Sequence, residues 1–408
     1  MPRHGREVYV RRRIAVGVVA LASLGVLGLG GYSAVALGLP LPETVPVAAA
    51  PALPAGTEVQ TAPAGYGSSG IGALGWDAPL VVAGDTAARP IASISKIVTA
   101  LVVLDRMPLA DGEEGPLREL TGQDEAYYYE ALAEGESRVY AEEGSVISER
   151  DALEAMLVSS SGNHARTLVD WAFGSQDAFP AAAAEWLAAN GLTETTLLEP
   201  TGVDPGNTST IPDLIRIGEL ALANPATSGI VAQASAHIPD VGEITSSNGL
   251  LGIDGIDGIK TGTLDEAGAC LLFSADATIG GRSVTLVGAV LGGPDHATID
   301  DSVRTLLASA VAGFQELTVP AGTAFADYTT RWDASAGAVT TKDATFLVWG
   351  SESLAATVEA LPVTTGEAGL EVGTAVLSSG RESVTVPLAL SADLPDPGAQ
   401  WRWANPSR

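Results

Sequence analysis

The chain has 408 residues, 46% hydrophobic and 17% charged, which describes a globular protein long enough for two folded domains and not a disordered one. Its 49 acidic residues against 21 basic ones give a formal net charge of −28, which argues against a nucleic acid as partner because a phosphate backbone would be repelled. One cysteine, Cys270, excludes any intrachain disulfide, and its apolar setting at 269–273 reads as a buried strand, not a nucleophile.

Arg3, Arg6, Arg11, Arg12 and Arg13 precede an uncharged apolar stretch at 14–39. A spanning helix needs roughly 20 such residues, and the arginines should stay cytoplasmic, sending everything after them outside. Ala34-Val35-Ala36 has the small-x-small form of a cleavage site. The apolar run is nevertheless longer than the roughly 7–15 residues of a signal-peptide core. The expectation is an uncleaved single-pass anchor with an extracytoplasmic remainder, and secretion after cleavage near Ala36 is the alternative. Residues 40–64, with Pro40, Pro42, Pro46, Pro51, Pro54 and Pro63, read as an extended, semi-rigid spacer.

Paired strands are expected at 71–76 and 80–83, joined by a turn at Asp77-Ala78-Pro79. Pro90-Ile91-Ala92-Ser93 signals a helix start. Ile94, Ile97, Val98, Leu101 and Leu104 then repeat at spacings of three and four, with Val102 and Val103 filling the other face, so this helix is buried. Residues 111–143 read as acidic and irregular, with Tyr127-Tyr128-Tyr129 packing under a loop. A helix capped by Ser148 runs to about Val158, residues 159–163 break it, and a second begins near His164. Residues 254–259 lead as a glycine-punctuated strand into Lys260-Thr261-Gly262, and further strands follow at 269–275 and 283–291. A helix at 300–314 comes next, and after about Thr318 short alternating runs suggest a small β domain. The expected organisation is a basic segment 1–13, a membrane segment 14–39, a linker 40–64, a catalytic domain 65–317 and an accessory β domain 318–408.

The chain has only three lysines, Lys96, Lys260 and Lys342, beside 18 arginines. Arginine stays protonated at any accessible pH, whereas a buried lysine shifts its pKa readily. Lys96 stands three residues after Ser93, one helical turn on, where it could act as base to a serine nucleophile. A lone S-x-x-K is common by chance. Here it is followed in order by Ser161-Gly162-Asn163 and Lys260-Thr261-Gly262, and that order carries the signal.

With residues 92–101, Ser161-Gly162-Asn163, residues 257–263 and the segment Glu199-Pro200-Thr201-Gly202-Val203-Asp204, the chain resembles the serine D-alanyl-D-alanine carboxypeptidases, the low-molecular-mass penicillin-binding proteins. The likeness covers about 65–315. It implies an α+β fold of the β-lactamase/transpeptidase type, an antiparallel sheet flanked by helices, with a C-terminal β domain as in some members. It also implies removal of the terminal D-alanine from peptidoglycan pentapeptide stems through a serine ester, and acylation by β-lactam antibiotics. On that resemblance Ser93 is the nucleophile and Lys96 its base. Ser161 relays the proton to the leaving group, and Asn163 orients Lys96 and the substrate amide. Lys260 and Thr261 receive the substrate carboxylate beside Gly262, and the N–H groups of Ser93 and Thr263 form the oxyanion hole. No metal or organic cofactor is implied. Two positions depart from the pattern: Ser247 stands where some members have a carboxylate-binding arginine, and His164 where an acidic residue is frequent.

Three other readings are weaker. A class A β-lactamase needs a polar residue where Leu198 stands after Glu194. A Ser-His-Asp hydrolase lacks a G-x-S-x-G elbow and has only four histidines to draw on. A non-catalytic wall-binding protein would not need Ser93, Lys96, Ser161 and Lys260 together. A DD-endopeptidase, with the same chemistry on a cross-linked substrate, stays open.

Overall fold

The computed structural model describes residues 4–406 apart from Asp111. Arg3 of the basic cluster and the last two residues, Ser407 and Arg408, lie outside the described residues, as do the side chains of residues 4–7. The chain divides into two compact units, Glu58–Gln315 and a second made of Met1–Thr57 with Glu316–Arg408.

The first unit is built on a five-stranded antiparallel sheet in the order Ile256–Leu264, Gly268–Ile279, Arg282–Gly293, Ser68–Ala73, Val81–Gly84. Residues 269–275 are buried without alternation, as in a strand covered on both faces. Helices α7 (Ile211–Ala223) and α9 (His296–Val311) pack against this sheet. Gly218 of α7 makes the approach close: a Cβ there would lie 2.5 Å from a Val287 methyl. Cys270 is buried in the second strand, and burial pushes its thiol up to about 11, so it is the inert strand residue expected.

The remaining helices gather around α2 (Ser95–Arg106), of which residues 95–104 are all buried. The apolar periodicity has no polar face there because α4 (Glu149–Leu157), α5 (Gly162–Phe173), α6 (Phe179–Ala189) and α7 all pack on it. The short α8 (Pro225–Val231) packs on α4 and α7. Ser148 caps α4 in a reciprocal box with Asp151.

The segment 111–143 departs from the irregular reading. It contains a strand, Leu117–Glu119, and the 13-residue helix α3 (Gly122–Glu134). Thr121 and Asp124 form a capping box, and Gly135 closes the helix at φ +73°. The buried residues Asp124, Tyr127 and Ala131 recur at three and four, but one is a carboxylate, so the apolar stripe is hidden among acidic surface positions. Tyr127 donates to Asp170 at 2.7 Å, and Tyr128 packs edge-on against Tyr129 and Tyr140.

In the second unit a six-stranded sheet runs Val47–Ala48, Ala324–Thr329, Ser335–Thr340, Ser383–Leu390, Glu371–Ser378, Ala355–Ala360. Tyr328, Phe325, Phe346, Leu377 and Leu388 fill its core. The proline-rich stretch is extended, as its composition requires, but it is taken up by the same unit: Val47 pairs with Asp327 at the sheet edge, while Thr44 bridges Val363 and Ala55 bridges Ser353 outside the strands. Helix α1 (His4–Gly38) precedes it, and its residues 8–38 are long and apolar enough to cross a membrane.

Candidate active site

Ser93 lies in a 3-10 turn, Ala92–Ile94, that runs directly into α2. Ala92 holds φ +47°, a left-handed conformation costing an alanine roughly 1–3 kcal/mol. Ser93 is half-buried, whereas Lys96, one turn on, is 2% exposed. Lys96 Nζ donates to Ser93 Oγ at 2.9 Å and to the Thr201 carbonyl at 2.5 Å. A lysine held by two such acceptors has a fixed ammonium position, and its direct contact with the hydroxyl is what a serine–lysine base pair needs.

Thr201 is placed by Glu199. The Glu199 carboxylate accepts from the Thr201 N–H (2.6 Å), the Thr201 hydroxyl (2.7 Å), the Gly202 N–H (2.6 Å) and the Asn207 side chain (3.0 Å). This turn presses on the residue before the serine: a Cβ on Gly202, at φ +87°, would lie 2.1 Å from the Ala92 carbonyl oxygen.

Ser161 caps α5 and is fully buried, following Ser160 at φ +63°. Its hydroxyl lies 2.6 Å from Asn163 Oδ1 and 2.9 Å from His164 Nδ1. Asn163 is also turned toward the preceding loop: its Nδ2 donates to the Val139 carbonyl at 2.9 Å, and its Oδ1 accepts from the Val139 N–H at 3.2 Å. Among the described residues, then, the S-x-N side chains are stitched to each other and to Val139, and no direct hydrogen bond joins them to Lys96. Glu136, in the same loop, accepts from Arg166 at 2.7 Å; its other oxygen is buried beside Gly162, where a Cβ would come within 2.0 Å of it.

The edge strand Ile256–Leu264 brings in the third element. Lys260 is 2% exposed and donates to the Thr261 carbonyl at 3.2 Å. A Cβ on Gly262 would lie 3.1 Å from the Ser93 nitrogen, a tight contact that a larger residue could make only if the neighbouring backbone gave by a few tenths of an ångström. Thr261 Oγ1 meets Ser247 Oγ at 2.5 Å, and Thr263 Oγ1 meets His296 Nε2 at 2.7 Å.

The electrostatics follow burial. Desolvation lowers Lys96 to about 8; the carboxylates of Glu136 and Glu199 oppose that shift and Arg166 adds to it. Burial lowers Lys260 further, to about 7, with the Lys96 charge as the second cause. Burial also lowers His164 to about 4, so its ring is neutral at physiological pH. Ser93, Lys96 and the strand of Lys260 thus lie together, and there a serine hydroxyl touches an amine that can be neutral near neutral pH. Such a site can acylate the serine with a carbonyl substrate.

The sequence model of the D-alanyl-D-alanine carboxypeptidases matches residues 80–294, more than half of the chain. The chain belongs to that family. It is 32% identical over 212 residues to the D-alanyl-D-alanine endopeptidase of Pseudomonas aeruginosa, across 48% of this chain and 62% of that protein. It is 31% identical over 219 residues to D-alanyl-D-alanine carboxypeptidase DacB2 of Mycobacterium tuberculosis, across 52% of this chain and 70% of the relative. The match thus spans under two thirds of the first relative's length. Penicillin binding protein 5 from Haemophilus influenzae superposes with a TM-score of 0.57 at 18% identity, over 83% of this chain and 99% of that one, a likeness of fold. The fold is accordingly α+β and of the penicillin-binding type, as the motifs imply.

Glu136, Arg166 and the carbonyl of Thr201 were not legible as neighbours of Lys96. For Thr201 the segment 199–204 was a usable signal, because a glutamate two and three residues before N–H groups can fold a turn around itself. Glu136 and Arg166 lie 30 residues apart in sequence and meet only because α3 packs on α5.

Proposed function

We propose that the chain is a serine-type D-alanyl-D-alanine carboxypeptidase that removes the terminal D-alanine from peptidoglycan stem peptides and is acylated by β-lactams. The observation carrying this reading is the 2.9 Å contact between a buried Lys96 and Ser93 Oγ, beside the strand of Lys260. Neutral Lys96 takes the Ser93 proton as Oγ attacks the carbonyl carbon of the penultimate residue. The oxyanion forms against the N–H groups of Ser93 and Thr263, donors that act only as charge develops. Collapse breaks the C–N bond, and the leaving D-alanine nitrogen receives the proton from Lys96 through Ser161, once that hydroxyl turns from Asn163. Water then cleaves the ester. Lys260, Thr261 and Thr263 hold the substrate's terminal carboxylate and backbone.

A DD-endopeptidase is the second reading, supported by relatives of that name in Pseudomonas aeruginosa and Escherichia coli. Labelling with a fluorescent penicillin, peptide mapping and product analysis on pentapeptide and cross-linked muropeptides separate the readings. An adduct on Ser93 that Ser93→Ala abolishes, with D-alanine released from pentapeptide, is expected. Cleavage of cross-links alone would favour the endopeptidase, and an adduct on Ser159, Ser160 or Ser161 would overturn the site.

The N-terminal helix is read as an uncleaved anchor with the catalytic unit outside the cytoplasm. Its residues 8–38 have a mean hydropathy of 2.2 in their most apolar window, and none of that window is buried by protein. The protein should stay with membranes through carbonate washes; a native N-terminus at Leu37 would make it a secreted enzyme.

A further inference from the structure

His164 follows the S-x-N asparagine directly, at the position where the family resemblance makes an acidic residue frequent. It is 1% exposed, in the first turn of α5, and its Nδ1 lies 2.9 Å from Ser161 Oγ. The other ring nitrogen, Nε2, is buried with no hydrogen-bond partner among the described residues. Burial, outweighing the Asp124 charge that opposes it, keeps the ring neutral near neutral pH, so it carries a single N–H.

Counting protons decides which nitrogen holds it. Val139 presents a backbone carbonyl and a backbone N–H to the Asn163 amide, and these fix its orientation. Asn163 Nδ2 donates to that carbonyl at 2.9 Å, and Oδ1 accepts from that N–H at 3.2 Å. Because Oδ1 can only accept, its 2.6 Å contact with Ser161 Oγ uses the one proton of the serine hydroxyl. Ser161 Oγ is therefore an acceptor toward His164, and Nδ1 is the donor. The other tautomer would set two lone pairs 2.9 Å apart and bury an N–H without an acceptor.

Two further donors point at the same oxygen, the Val139 N–H at 3.2 Å and the His164 backbone N–H at 3.4 Å. An oxygen ringed by N–H groups gives up its own proton more readily, because the charge left behind meets hydrogen bonds already in place. An ionised carboxylate at position 164 would have no proton to donate.

We infer that His164 is a positioning residue of the acyl transfer: its Nδ1–H, donated to Ser161 Oγ, makes that hydroxyl a better proton donor to the leaving nitrogen. The inference rests on the reading of Ser161 as proton relay. As the C–N bond of the tetrahedral adduct breaks, its electron pair stays on nitrogen, which takes the Ser161 proton. Ser161 takes the proton that Lys96 carried from Ser93, and His164 keeps its own.

Two substrates with one acyl part separate this role from a structural one: a peptide, whose amine needs a proton to leave, and the matching thioester, whose thiolate does not. In His164→Leu, kcat/KM for the peptide should fall on the order of tenfold to a hundredfold, the scale of one hydrogen bond to a charged group, and much less for the thioester. His164→Asn, whose amide N–H can take the place of Nδ1–H, should recover most of the loss. Nitrogen-15 spectra of the unmodified protein should show the His164 proton on Nδ1. Equal falls on the two substrates in His164→Leu, or a proton on Nε2, would overturn the inference. Ser161→Ala tells the two failures apart. If it slows peptide and thioester equally, the relay reading falls and the inference with it. If it slows the peptide selectively while His164→Leu slows both alike, the inference alone falls.

Discussion

Ser247 Oγ lies 2.5 Å from Thr261 Oγ1, so the hydroxyl proposed to receive the substrate carboxylate is met by a second hydroxyl and not by the guanidinium that the family resemblance would allow there. The carboxylate then relies on Lys260 for its positive charge, and that lysine is depressed by burial to about 7. Charge at this end of the cleft is scarce near neutral pH.

Ser247→Arg should therefore improve the enzyme. A charge-assisted hydrogen bond contributes about 1.5–3 kcal/mol, so kcat/KM on a D-Ala-D-Ala peptide should rise on the order of tenfold, chiefly through KM. Steady-state kinetics on peptides ending in a free carboxylate or its amide check this. An equal gain on both would show that the carboxylate does not bind at Thr261.

Lys96→Arg keeps a cation in the pocket and removes the base. Loss of acylation on the order of a thousandfold is expected, the scale of a missing general base. Stopped-flow acylation by a fluorescent penicillin measures it. Retention within tenfold would make Lys96 a structural cation, holding Thr201 and nothing more.

The pH profile follows from the same two lysines. Lys260 sits at about 7 and Lys96 at about 8, both lowered by burial, and the Lys96 charge is the second cause at Lys260, so the two titrate as neighbours. Below about 7 both are protonated and no base is present; above about 8 both are neutral and the substrate carboxylate meets no cation. Acylation should thus be bell-shaped, with its maximum between these limits, and rise on the acid side as the pair loses its first proton; the productive form, Lys96 neutral with Lys260 charged, is one of the two singly protonated forms. In Lys260→Arg the alkaline limb should vanish, because a guanidinium keeps its proton. A wild-type profile that climbs without limit to pH 10 would show that Lys260 need not be charged.

Much of this site was legible before the fold because its chemistry is local. Ser93 and Lys96 are one helical turn apart, and the glycine of Lys260-Thr261-Gly262 marks a strand that something must approach; it lies against the Ser93 nitrogen. The helix at 122–134 was lost because a buried Asp124 broke the apolar stripe. The side-chain direction of Asn163 was not legible either. Its amide is satisfied by Val139, 24 residues earlier, a partner that exists only after the loop has folded over α5. The spacer's composition announced an extended chain without saying that a sheet edge would take it up.

Gly202 offers the sharpest check on how the nucleophile is held. Its φ is +87°, and a Cβ added there would come within 2.1 Å of the Ala92 carbonyl oxygen, so Gly202→Ala is strained and must also push the turn off Ala92. That turn carries the Thr201 carbonyl that fixes Lys96. A misplacement of about 1 Å costs on the order of a hundredfold in rate, so acylation should fall by that factor. Strain and clash should take about 1–3 kcal/mol from stability. Gly369→Ala is the control: its φ is +88°, and a Cβ there meets nothing within 4 Å. It should lose comparable backbone stability in thermal melts while acylating at the wild-type rate, because nothing at that position leans on Ser93. If Gly202→Ala acylated as fast as Gly369→Ala, the contact between the 199–204 turn and Ala92 would have no part in presenting the serine.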